Sequence, residues 1–251
     1  MEQAEMNESV IIGAVRTPTG KFRGTLHPLS APNLGALVIR EVVARANMDP
    51  TLVDECIMGN VVSAGLGQNP ARQAALAGGL SEHVSAMTIN KVCGSGLKAV
   101  ALGANVITSG EATLVLAGGV ESMSQAPHYA TEVRGDQKFG DSTMRDAIIA
   151  DGLSDPVLKR DMGDIAEELS KDYPIGRDEQ DEFALRSQLR AREARKGFVR
   201  EIAKVGNVQT DEHPRPDTTL EKLQSLTPAF DKTGTILSLI HILTLPTNRE
   251  V

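Results

Sequence analysis

The stretch Ile89-Asn90-Lys91-Val92-Cys93-Gly94-Ser95-Gly96-Leu97 joins a short apolar strand to a helix and places a cysteine at the junction. From Leu97 to Ile107 only Lys98 and Asn105 interrupt an apolar surface, and a helix that is apolar nearly all round belongs in a core. The pattern predicts a central helix with Cys93 at its buried start, where backbone N–H groups and the helix dipole favour an anionic side chain. That is a setting for a cysteine nucleophile. Gly94 and Gly96 leave room for a substrate beside the backbone.

Working outward, strands alternate with helices. Val10–Val15 reads as a short buried strand, followed by a Gly/Pro-rich loop to Gly24. Pro32 starts a helix carrying Leu34, Leu37, Val38, Val42 and Ala46 on one side, with Arg40, Glu41 and Arg45 on the other. Cys56–Val62 is the second strand. Asn69-Pro70 then supplies an N-cap with proline in the first helical position. Ala86–Val92 is the third strand and Ala112–Ala117 the fourth, and Gly110 ends the helix between them. This order predicts a parallel sheet in an α/β layer architecture. From Glu121 to about Asp231 the chain turns polar, with amphipathic helix and little strand signal, and reads as an inserted cap. Its clearest helix is Glu179–Gly197, whose basic face is that of a solvated surface helix.

Composition narrows the function. A chain of 251 residues with a 41% hydrophobic share can build a real core. The excess of 33 acidic over 26 basic residues, net −7, argues against nucleic acid as a partner. Two cysteines cannot make a disulfide framework, and the N-terminus lacks the pattern of a signal peptide, so a cytoplasmic location is expected. No apolar run reaches the roughly 18–20 residues of a membrane span.

Cysteine chemistry at a helix start suits acyl transfer, in which the sulfur attacks a thioester or carbonyl carbon and becomes acylated. Rival motifs fit poorly. Ser95 lies in Cys-Gly-Ser-Gly-Leu rather than Gly-x-Ser-x-Gly. Gly65-Leu-Gly67 lacks the third glycine of a dinucleotide site. No zinc spacing occurs among two cysteines and five histidines, so no metal is expected. Cys56, flanked by Ile57 and Met58, reads as an inert core residue.

Four stretches together resemble the thiolase family: Val15-Arg-Thr-Pro-Thr-Gly-Lys-Phe-Arg-Gly24, Met58-Gly-Asn-Val-Val-Ser-Ala-Gly-Leu-Gly-Gln-Asn-Pro-Ala-Arg-Gln73, Asn90-Lys-Val-Cys-Gly-Ser-Gly-Leu-Lys98 and Gly118-Gly-Val-Glu-Ser-Met-Ser-Gln-Ala-Pro-His128. The resemblance runs from Val10 to about Thr235. It implies a layered fold of two similar βαβ half-domains, with a loop domain inserted in the first. On that pattern 1–120 is the N-terminal half-domain with the nucleophile helix, 121–235 the loop domain, and 236–251 an anomalous tail. The second half-domain is absent.

The same resemblance implies an acetyl-CoA C-acetyltransferase that forms or cleaves acetoacetyl-CoA through an acyl group on Cys93. Coenzyme A thioesters enter as substrates rather than cofactors, and the parent enzyme is a homodimer or homotetramer. Leu153 and Met162 match positions lining the acyl and pantetheine channel, and Arg215 matches a CoA-contacting arginine. Asp161-Met-Gly163 departs from the His-Met-Gly of the biosynthetic enzymes, which keeps a broader 3-ketoacyl-CoA thiolase as an alternative. A non-catalytic acyl-CoA or lipid-carrier relative is a second alternative, and a ketosynthase-like condensing enzyme a third.

After Thr235 the family pattern stops. Ile236–Val251 reads as a frameshift, read-through or cloning artefact, and the oxyanion and general-base residues expected further on are missing. None of His27, His83, His128, His213 and His241 stands in the matching context. The chain is therefore expected to be inactive alone, and the helix after Cys93 to have one uncovered face.

Overall fold

The computed structural model describes residues 8–135, 139–173 and 175–237; most of the anomalous tail lies outside them. Three parallel strands, β1 (Glu55–Gly59), β2 (Ser85–Ile89) and β3 (Val115–Gly119), form a sheet in the order β2-β1-β3. Gly59 pairs with Ile89 on one side and with Gly119 on the other, so the three strand ends lie level. Cys56 and Ile57 in β1 are fully buried, as expected for the middle strand of a sheet covered on both faces.

Helices α1 (Ala31–Arg45) and α2 (Pro70–Ala77) cover one face. Ser30 caps α1 by accepting the Asn33 N–H. Asn69 caps α2 by accepting the Arg72 N–H, while its amide donates to the Ala86 carbonyl at 2.9 Å and ties the cap to β2. Ile39, Cys56, Met58, Ala71, Ala74 and Ala75 form the core between these helices and the sheet. The alternation of strand side chains sends Ile57 to the opposite face. There α3 (Ser95–Thr108) packs on β1 and β3.

Small residues set that contact. Ser95, Ala99 and Gly103 are the buried positions of α3, at i, i+4 and i+8. A Cβ on Gly103 would lie 3.1 Å from a Val115 methyl. The rest of the helix departs from burial on all sides, since Leu97 is 60% and Val100 38% exposed. The uncovered face expected of this chain is present.

The first strand is not formed. Val10, Ile11 and Ile12 are exposed, and among the described residues the only pairing here is a one-residue parallel bridge from Arg16 to Ile202. An apolar run becomes a strand only where a neighbour satisfies its N–H and C=O groups, and among the described residues Val10–Val15 has no such neighbour.

Arg16 instead anchors its loop. It donates to Asp211 through two nitrogens at 2.7 and 3.0 Å and to Glu201 at 2.8 Å, with its guanidinium over the Phe198 ring. Burial disfavours the cation, but the hydrogen bonds and charges of Asp211 and Glu201 outweigh it and hold Arg16 above the ordinary arginine range. The Asp211 side chain is 3% exposed and that of Arg16 25%. Removing one partner of a buried pair strands the other charge, so Asp211→Ala should cost about 2–4 kcal/mol in urea unfolding, discounted for the partial exposure of Arg16. A loss below about 1 kcal/mol would show the pair to behave as a surface bridge.

Beyond Gly119 the chain forms α4 (Met162–Asp172), α5 (Arg177–Ala194) and α6 (Leu220–Gln224), a π-helical turn over Ile148–Leu153, and two short antiparallel ladders. The ladders are β4 (His128–Tyr129) with β5 (Arg145–Asp146), and β6 (Ser154–Asp155) with β7 (Arg160–Asp161). Among the described residues no helix is long and apolar enough to cross a membrane.

Candidate active site

Glycines bring the start of α3 onto the strand ends. A Cβ on Gly59 would lie 2.6 Å from both the Ser95 carbonyl carbon and the Ser95 Cβ, and 2.7 Å from the Gly96 nitrogen. A Cβ on Gly119 would lie 3.0 Å from the Gly96 Cα. The first turn of α3 thus rests on the backbone of β1 and β3, at the carboxyl ends of parallel strands. The chain crosses from β2 over β1 to β3 at this point, and open α/β sheets bind ligands where the strand order reverses.

The turn from β2 into α3 contains a strained residue. Val92 has φ +49°, a left-handed conformation that β-branched side chains rarely adopt and that costs about 1–3 kcal/mol. Its N–H donates to Asn90 Oδ1 at 2.8 Å. Its carbonyl accepts the Ser95 hydroxyl at 2.6 Å and the Ser95 N–H at 3.1 Å, and that hydroxyl also accepts the Lys91 N–H at 2.8 Å. Cys93 follows, exposed, two residues before the first helical residue. A buried Cys93 was expected; it is exposed because the turn projects beyond the level strand ends and only Ser95 beneath it is enclosed.

A mostly buried carboxylate braces the neighbouring loop. Glu121 accepts the Val61 N–H at 2.9 Å, the Val62 N–H at 3.3 Å and the Asn60 amide at 2.9 Å. Burial pushes its carboxyl above the usual range, and the hydrogen bonds from Val61, Val62, Asn60 and Ser122 only partly oppose this. The Asn60 N–H in turn donates to the Ile89 carbonyl at 3.0 Å, joining this loop to the end of β2. A cavity of about 480 Å³ opens beside it, lined by Asn60, Ser63, Asn69, Met87 and Asn90 among others.

The other residues expected at the site divide into two neighbourhoods. Ser154 pairs with Asp161 in the β6–β7 ladder, so Leu153 and Met162 flank the same end of it. Leu153 is buried and Met162 is 38% exposed. A Cβ on the adjoining Gly152 would lie 3.5 Å from a Val62 methyl, which places this ladder against the loop that Glu121 braces. Asp161, where the biosynthetic pattern has histidine, accepts the Ser154 hydroxyl and precedes α4. Arg215 is exposed elsewhere, its N–H donating to Gln188 Oε1 of α5 at 2.7 Å.

Two of the histidines make contacts: His128 Nε2 lies 3.8 Å from Asp146, and His213 Nε2 3.1 Å from the Gly20 carbonyl. Among the described residues no group of three His, Cys, Asp or Glu is placed to hold a metal ion.

The sequence pattern singles out Cys93, which the structure places on the exposed turn, but assigns nothing to Gly59, Asn60, Asn90 or Glu121. The available signal is a glycine that closes β1, an asparagine directly after each of β1 and β2, and a carboxylate two residues after β3, all at strand ends where parallel sheets carry sites.

This is a parallel α/β sheet with a cysteine on a turn over its carboxyl ends, and the chain belongs to the thiolase family: residues 9–238 match the thiolase N-terminal domain. It is 49% identical over 242 residues to the acetyl-CoA acetyltransferase of Cupriavidus necator, covering 92% of this chain and 62% of that protein. To the acetyl-CoA acetyltransferase of Escherichia coli K12 it is 48% identical over 243 residues, covering 92% and 61%. Its fold is similar to the Acat5 thiolase from Ascaris suum in complex with coenzyme A, with TM-score 0.85 and 40% identity, over 92% of this chain and 61% of that one. The chain therefore spans about three fifths of the length of these relatives.

Proposed function

We propose that this chain carries the acyl-accepting part of an acetyl-CoA C-acetyltransferase, with Cys93 as the residue acylated by acetyl-CoA or acetoacetyl-CoA. The exposed Cys93, held on a fixed turn at the strand ends, carries this reading. With acetyl-CoA the sulfur, having lost its proton, attacks the thioester carbonyl carbon; the bond to the coenzyme A sulfur breaks, and coenzyme A leaves as a thiolate that takes up a proton. With acetoacetyl-CoA it attacks the 3-keto carbonyl carbon instead; the C2–C3 bond breaks, and acetyl-CoA leaves as an enolate that takes up a proton at C2. Leu153 and Met162 would line the acyl channel, their ladder lying against the loop beside the nucleophile turn. Arg215 would meet the coenzyme A moiety from a different side. Two unpaired cysteines, Cys56 and Cys93, suit a reducing compartment.

Neither His128 nor His213, each engaged away from Cys93, is assigned as general base. The acylation half-reaction is the step that these residues would carry. Incubation with acetyl-CoA should place one hydroxylamine-labile acetyl group on Cys93, read by mass spectrometry. The label should vanish in Cys93→Ala and persist in Cys56→Ala. Acetylation spread over lysines, with none on Cys93, would overturn the reading.

A further inference from the structure

We infer that Asn90 and Ser95 are positioning residues: together they clamp Val92 in its left-handed conformation and so fix the direction of the Cys93 thiol. Both polar groups of the Val92 backbone are taken by these side chains, the N–H by Asn90 Oδ1 and the carbonyl by the Ser95 hydroxyl. A strained valine persists only where its surroundings over-determine it. Here the clamp is two-sided and local.

Ser95 does more than hold Val92. Its hydroxyl also accepts the Lys91 N–H, so a single oxygen joins the residue before Val92 to the residue's own carbonyl. Ser95 is buried, and its backbone sits on Gly59 with no room for a Cβ between them. The clamp is therefore referenced to the rigid end of β1, whereas Asn90 is exposed and reaches Val92 from the solvent side. Ser95, unsuitable as a nucleophile by its motif, acquires a role that the sequence pattern did not offer it.

The role of the clamp in acylation rests on the proposed function, so the decisive measurement is independent of acylation. Backbone amide order parameters from NMR relaxation should be near 0.85 at Val92 and Cys93 in the unaltered chain, the value of rigid backbone, and fall below about 0.6 in Asn90→Ala and Ser95→Ala. Asn90→Asp, which keeps an oxygen for the Val92 N–H, should restore them. A merely stabilising contact would lower the urea midpoint without this local loss. Should Ser95→Ala fail to fold, exposed Asn90 decides the matter alone. Unchanged order at Val92 and Cys93 in Asn90→Ala overturns the clamp.

Acylation then separates the two ideas. Where the unaltered chain accepts acetyl groups, Asn90→Ala should acylate at least tenfold more slowly and Asn90→Asp should recover. Loss of order with unchanged acylation refutes the positioning role. An unaltered chain that never acylates, yet loses order in Asn90→Ala, keeps the clamp and discards the proposed function.

Discussion

In the folded chain at pH 8, iodoacetamide labels Cys93 and leaves Cys56 at least a thousandfold behind. Cys56 lies in the middle of β1 with no exposed surface. Burial, and to a lesser degree the charge of Glu55, pushes its thiol up to about 12. With that value only about 1 thiolate in 10⁴ is present at pH 8, and the thiolate is the reactive species. Exclusion by the sheet and by α1 and α2 lowers the rate further. Cys93 is exposed on its turn. Quenched labelling followed by peptide mass spectrometry reads both sites at once. In denaturing urea the two rates should come together, because the difference belongs to the fold. Comparable labelling of both cysteines before unfolding would mean that the sheet does not protect Cys56 and that the core is wrongly assigned.

Adding a single methyl group at Gly59 is expected to be strongly destabilising. The new carbon would meet the Ser95 carbonyl carbon and Cβ at 2.6 Å and the Gly96 nitrogen at 2.7 Å, well inside van der Waals contact. These are mainly backbone atoms, so no side-chain rotation relieves the overlap; α3 must lift from the sheet. Overpacking of a core costs about 1–3 kcal/mol and occasionally more, and a rigid backbone obstacle puts Gly59→Ala at about 3 kcal/mol or above. Gly176→Ala is the control, since a Cβ there meets nothing within 4 Å. If urea unfolding gives the two variants equal stability, the close seating of α3 on β1 is refuted.

The legible parts of the fold were those specified by local signals. Asn69-Pro70 announced α2, and Pro32 with its apolar spacing announced α1, to within a residue or two. The three sheet strands appeared where continuous apolar runs predicted them. Their ends differed: β1 stops at Gly59 rather than Val62 because the N–H groups of Val61 and Val62 turn to Glu121. Apolar periodicity also misjudged α3. Counting large apolar residues suggested burial all round, whereas the face against the sheet is marked by small residues, and Leu97 and Val100 point away from it. Val10–Val15 carried a strand signal with no neighbour to realise it.

Cys93 stands out in the sequence because of its side chain and its glycine flanks, and the structure places it exposed on the turn. Gly59, Asn90 and Ser95 act instead through backbone approach and through hydrogen bonds to a conformation, neither of which spacing reveals. Leu153 and Met162 were placed in one neighbourhood by the β6–β7 ladder, and Arg215 fell in another. No pattern along the chain distinguishes those outcomes.

Glu121, described above as a brace, also couples the fold to the proton. Its carboxyl titrates higher in the folded chain than in an unfolded one, so the native state holds this proton more tightly than the denatured state does. The stabilisation that proton provides is complete below the ordinary glutamate value and is lost as pH rises through the raised one. The carboxyl that organises the loop beside the Cys93 turn is therefore one whose neutral form the interior favours. In the pH dependence of stability, Glu121 thus acts with the opposite sign to hydrogen-bonded carboxylates such as exposed Asp54 and half-buried Glu212, whose values lie below the usual range.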